Sequence, residues 1–82
     1  MNKKKLFARI VSNQRNISFN DFVTIIEAFG FSCARISGSH QIFNHPNIDE
    51  IINIQNEKGN GKPYQIKQFL SLIEKYKLSM ED

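Results

Sequence analysis

The chain has no tryptophan, two prolines and a single cysteine among its 82 residues, and each shortage excludes something. With Cys33 alone, no disulfide can close within the chain, so the fold rests on hydrophobic burial and suits a reducing compartment. The same scarcity argues against structural zinc. Cys33 would have to join His40, His45 and a carboxylate with no C-x-x-C or H-x-x-x-H cluster to gather them, so neither a metal nor another cofactor is expected. The longest uninterrupted apolar stretches are two to four residues, too short for a membrane span or a signal-peptide core. A soluble, cytoplasmic protein is the expectation. So short a chain also lacks room for a deep cavity. A domain of this size hides only about 60% of the surface its unfolded chain exposes, so any chemistry sits on a face or in a shallow groove.

Acid is missing from the first sixteen residues, which carry Lys3, Lys4, Lys5, Arg9 and Arg15, whereas Glu81 and Asp82 close the chain. The net charge of +3 is by itself a weak pointer to a polyanionic partner.

The apolar residues have clear periods. Leu6, Phe7 and Ile10 predict a first helix over 3–12. Phe19, Phe22, Val23, Ile26 and Phe29 form one helical stripe, with Ser18 and Asp21 as an N-terminal capping pair, Ile17 and Phe22 as a staple, and Gly30 as the stop. That helix is expected over 18–29. Beyond Gly30 the pattern becomes extended: strands are expected over 31–37 and 39–45, with Pro46 ending the second, and over 51–55 with Ile52 and Ile54 on one face. Lys58-Gly59-Asn60-Gly61 reads as a flexible turn. Pro63 then opens a last helix over about 63–77 along Ile66, Phe69, Leu70 and Ile73.

This order predicts an α+β fold, a three-stranded antiparallel sheet with helices on one face. It is the α-β-β-β-α arrangement of double-stranded-RNA-binding-like domains, preceded by an extra helical segment. One domain is expected: a helical extension over 1–17, a core over 18–77 and an acidic tail over 78–82.

The chemistry concentrates in Ser37-Gly38-Ser39-His40-Gln41-Ile42-Phe43-Asn44-His45-Pro46. Histidine transfers protons near neutral pH. Gly38 lets backbone approach a phosphate, and its N–H with that of Ser39 can form a small anion nest. Arg35 and the lysines of 58–67 are the available cations. His40 and His45 are five apart, an odd number, so on a regular strand they face opposite sides and cannot straddle one phosphate. His45, before Pro46, reads as a locally bonded turn residue. Cys33 reads as a small core or edge residue, and Ser39 has no Ser-His-Asp setting to make it a nucleophile.

Gly38-Ser39-His40 opening a strand, the aromatic Phe43, the closing His45-Pro46, the preceding Phe29-Gly30-Phe31 and the final amphipathic helix resemble the HicA family of toxin ribonucleases. The resemblance covers about residues 18–77. It implies a toxin of a type II toxin–antitoxin system, a metal-independent endoribonuclease (mRNA interferase) that cuts mRNA and blocks translation. It further implies a HicB-type antitoxin that covers the active face. His40 takes the position of the family's catalytic histidine, and Gly38 and Ser39 those of its turn. Arg35, Gly38, Ser39, Lys62 and Lys67 are then the expected RNA contacts. Neither a membrane nor a small-molecule cofactor enters. The segment from Gln55 to Tyr64 departs from the pattern: it lacks the histidine that many members carry there and contains Glu57. A noncatalytic RNA-binding module of the same fold is therefore the alternative, and a protein-docking domain a third.

Overall fold

A computed structural model describes residues 2–80; Glu81 and Asp82, the expected acidic end, lie outside the described residues. Helix α1 spans Lys3–Ser12, with one of its free N–H groups capped by Asn2, whose Oδ1 accepts from Lys5 N at 2.8 Å. Its buried Leu6 and Ile10 face the core, and the Phe7 ring lies 4.9 Å from that of Phe29. Helix α2 spans Phe19–Ala28, with the Ser18 hydroxyl accepting from Asp21 N at 3.0 Å. That bond satisfies one of the donors every helix start leaves open. Ile17 and Phe22, the expected staple, are both buried.

The strands are β1 (Ser32–Ser37), β2 (His40–His45), β3 (Ile48–Glu57) and β4 (Asn60–Gly61), followed by helix α3 (Pro63–Tyr76). They pair antiparallel in the order β1-β2-β3-β4. The α-β-β-β-α layout stands, with one correction: the sheet has four strands, not three. Lys58 (φ 53°) and Gly59 (φ 88°) both adopt left-handed backbone, as in a type I′ hairpin turn. Asn56 Oδ1 accepts from Gly59 N at 2.7 Å. The chain therefore folds straight back, pairing Asn56 with Gly61 and Glu57 with Asn60. The expected flexible turn is a hairpin, tied further by Gly61 N to Ile17 O (2.9 Å) and Phe19 N to Gly59 O (2.8 Å). Strand β3 likewise begins at Ile48 rather than residue 51, because Pro46 and Asn47 alone make the preceding turn.

Phe43, Ile52 and Ile54 point from the sheet into one cluster with Leu6, Ile10, Phe22, Ile26, Ile66 and Phe69. Phe69 is its hub, with ring centroids 5.8 Å from Phe22, 5.8 Å from Phe29 and 6.0 Å from Phe31. All the helices contribute to this inner face, which leaves the outer face of the sheet open.

Helix α3 also closes an edge of β3. The bond from Asn56 N to Ser39 O (2.9 Å) flanks the His40–Gln55 pair, so the Gln55 N–H points away from β2. The buried side chain of Gln65 accepts from it, Oε1 to Gln55 N at 2.9 Å. A Gln65→Leu protein should be less stable by about 1–3 kcal/mol, because a half-buried N–H is left without its partner. Urea denaturation at constant slope checks this.

Candidate active site

The β1–β2 turn is two residues long, Gly38-Ser39, since Ser37 pairs with His40. Gly38 has φ +60° and Ser39 does not share the positive sign, the pattern of a type II′ turn, which places glycine first. A Cβ at Gly38 would meet nothing within 4 Å. The glycine is therefore needed for its backbone conformation, not for space, and the surface above the turn is open to a ligand.

From this turn the register determines what shares a face. Ser37 opposes His40, Arg35 opposes Ile42, His40 opposes Gln55, and Ile42 opposes Asn53. Because Phe43 and Ile52 form the inward pair, these residues stand on the outer face. Arg35 is a diagonal neighbour of His40, a separation of about 7–8 Å between backbones that a long side chain spans. The register shift between Cys33 and Arg35 moves Cys33 off that face, and Cys33 is an exposed residue of the edge strand.

His40 is half-buried, and its Nδ1 lies 3.2 Å from Asn53 Oδ1. An amide oxygen only accepts, so the neutral imidazole that makes this contact carries its proton on Nδ1 and keeps its lone pair on Nε2. Ser39 is held by Gln55, whose Nε2 donates to Ser39 Oγ at 3.3 Å. His45 is different in each respect. It is buried, its ring lies 4.9 Å from Phe31, and its Nδ1 accepts from Asn47 N at 3.1 Å. The two histidines face opposite sides, as their spacing predicts. The expected local bond of His45 is present, but His45 is the last residue of β2, paired with Ile48, and not a turn residue.

Asn53 also borders a groove of about 490 Å³ between β3 and α3, whose α3 wall carries Lys67, Gln68 and Lys75. Lys67 is exposed there. Lys75 donates to Glu50 Oε2 at 3.3 Å and lies over the Tyr76 ring. The Tyr76 hydroxyl and then the Lys75 ammonium hold the Glu50 carboxyl below its ordinary pKa, and Glu50 raises that of Lys75 in return. Lys62 is also engaged: its ammonium lies 3.6 Å from Glu57 and 5.8 Å from the centre of the Tyr64 ring. The structure thus gathers Arg35, Gly38, Ser39 and His40 on one face and sets Lys67 along the groove beside Asn53. Lys62 stands apart, bound to an acid.

Residues 19–74 match the family model described as the HicA toxin of bacterial toxin–antitoxin systems. The chain belongs to the HicA family. Neither the curated proteins nor the solved structures yield a match to it. As a HicA chain it is a toxin of a toxin–antitoxin pair, which implies an antitoxin as partner. The open face lies within the matched residues, whereas α1 precedes them. Among the described residues no helix is long and apolar enough to cross a membrane, and no group of three His, Cys, Asp or Glu side chains is placed to hold a metal ion.

Asn53 and Gln55 were not among the residues singled out from the sequence. The signal was present in the alternation of β3: if Ile52 and Ile54 face the core, Asn53 and Gln55 face away. An Asn53→Ala protein should keep its fold, since Asn53 is exposed. It should lose the preference of His40 for the Nδ1–H tautomer. The nitrogen-15 chemical shifts of the His40 ring in the two proteins check this.

Proposed function

We infer that this HicA chain is an endoribonuclease that cuts mRNA in the cytoplasm and blocks translation, with His40 as its proton-transfer residue. The observation that carries the reading is the Nδ1 contact of His40 with Asn53 at 3.2 Å, which leaves the lone pair on Nε2 of an imidazole that stands on the open outer face. RNA carries its own nucleophile, so the protein need supply only proton transfer and charge stabilisation. Nε2 takes the 2′-OH proton as that oxygen bonds to the adjacent phosphorus. The P–O5′ bond breaks, and the same nitrogen returns the proton to the leaving 5′-oxygen. The products are a 2′,3′-cyclic phosphate and a 5′-OH, with atoms and charge balanced. No step calls for a metal ion.

Charge builds on the phosphorane oxygens. Arg35, on the same face, neutralises it, while the Gly38 and Ser39 turn supplies N–H and hydroxyl donors. Lys67 meets a neighbouring phosphate from the groove. Lys62 reaches RNA only by leaving Glu57, which makes it the weakest of the proposed contacts. An open face suits the partner too: a HicB-type antitoxin that covers the sheet hides His40 in one step.

A noncatalytic RNA-binding module is the second reading, favoured by the inward orientation of His45, which leaves His40 as the lone imidazole on the outer face among the described residues. Induced expression in cells separates the two. Arrested growth with fragmented mRNA, abolished by His40→Ala, supports the enzyme. Arrest of equal strength with His40→Ala, over intact mRNA, supports the binder.

A further inference from the structure

We propose that a second RNA-binding surface lies in the groove between the α1–α2 loop and the β3–β4 hairpin. There Arg15, Lys58 and Lys67 hold backbone phosphates of the strand that runs away from His40. The inference rests on the ribonuclease reading and extends it to Arg15, which precedes the family match, and to Lys58 within it.

The groove measures about 550 Å³, and its borders include Arg15, Asn16, Lys58, Asn60 and Lys67. Arg15, Lys58 and Lys67 are exposed. One acid, Glu57, also borders it, and the Lys62 ammonium 3.6 Å away offsets that charge. Polar amides between three cations suit a phosphodiester backbone, which asks for charge and hydrogen bonds rather than an apolar pocket.

Lys67 connects this surface to the reaction site. It borders both this groove and the one that opens on Asn53, the partner of His40. A strand with its scissile phosphate at His40 therefore meets Lys67 next and Arg15 and Lys58 beyond it.

The loop that presents Arg15 is held in place. Gln14 Nε2 donates to Ile10 O (2.7 Å) and Val11 O (3.0 Å), closing α1, and Asn13 Oδ1 accepts from Arg15 N at 2.9 Å. Arg9 Nη2 donates to Asn16 O at 3.5 Å, so a second cation leans toward the same loop. Helix α1 is anchored through Leu6 and Ile10. Its anchoring and the absence of acid before Asp21 give the extension a role: it lengthens the RNA footprint.

The test compares binding by the His40→Ala protein, which leaves the RNA uncut, with binding by the same protein carrying Arg15→Gln and Lys58→Asn. Asparagine tolerates the left-handed backbone at Lys58. The probes are single-stranded RNAs of increasing length, titrated over a range of salt. The two lost contacts should lower the slope of log K against log salt by about 1.4. They should weaken binding of the longer RNAs about 25-fold near 0.1 M salt. The shortest RNAs should bind as before, and thermal melting should show equal stability. Long RNAs bound equally well by both proteins would overturn the proposal while leaving the ribonuclease reading standing. An equal loss at every length would also overturn it, since it would place these cations at the reaction site. If the single His40→Ala protein binds no RNA at all, both readings fail.

Discussion

A His40→Ala protein should cleave RNA about 10²–10⁴-fold more slowly than the parent, the range expected when a positioned proton-transfer group is lost. Its melting temperature should stay close to the parent's. His40 sits on the open outer face at the start of β2, and its recorded side-chain bond is the exposed contact with Asn53. Removing the ring therefore empties no cavity and leaves no buried group unpaired. RNA affinity should also persist, because Arg35, Lys67 and the Gly38-Ser39 turn remain. A slowing of that size with binding and fold retained identifies a chemical role. Cleavage assays, salt-dependent binding and thermal melting on the same preparation measure all three.

Phe69→Ala should act in the opposite way, through the fold alone. The Phe69 ring is buried and meets Phe22, Phe29 and Phe31 within 5.8–6.0 Å. Truncating such a side chain costs about 3–5 kcal/mol, because its neighbours relax only partly into the space left behind. A chain of 82 residues has a total stability of about 4–12 kcal/mol at the usual amount per residue. The substitution therefore removes a quarter or more of that stability, and in a marginal domain nearly all of it. The expected result is a lower urea midpoint with the slope unchanged, and activity lost only in proportion to the unfolded fraction. Activity lost without a change in the midpoint would mean that Phe69 has a role at the site.

Much of this was legible in the residues themselves. The stripes of α1, α2 and α3 and the Ser18 cap of α2 appear within a residue or two of where the periods place them. The odd spacing of His40 and His45 separates them across the sheet. What the sequence concealed depends on partners distant in the chain. Strand β4 has two residues, too few to show a period, and exists because Lys58 and Gly59 reverse the chain onto Asn56 and Glu57. Gln65 stands out in no periodic stripe of the sequence. It is buried because the N–H of Gln55, ten residues earlier, needs an acceptor. Lys62 and Lys67 look alike in sequence, yet Glu57 engages one and leaves the other facing the groove. The site was legible in part: Gly38, Ser39 and His40 declare themselves as a turn opening a strand. The support from Asn53 and Gln55 depends on register, which only the folded sheet sets.

The role proposed for His40 is to move the proton of an RNA 2′-OH from this open face. Its most direct test is the cleavage of an RNA oligonucleotide by the purified chain in EDTA. The same oligonucleotide with one 2′-deoxy residue at the cut position serves as the control. A fragment ending in a 2′,3′-cyclic phosphate is expected from the first, and no cut at that position in the second. Cleavage at the deoxy position, or cleavage undiminished in His40→Ala, would contradict it.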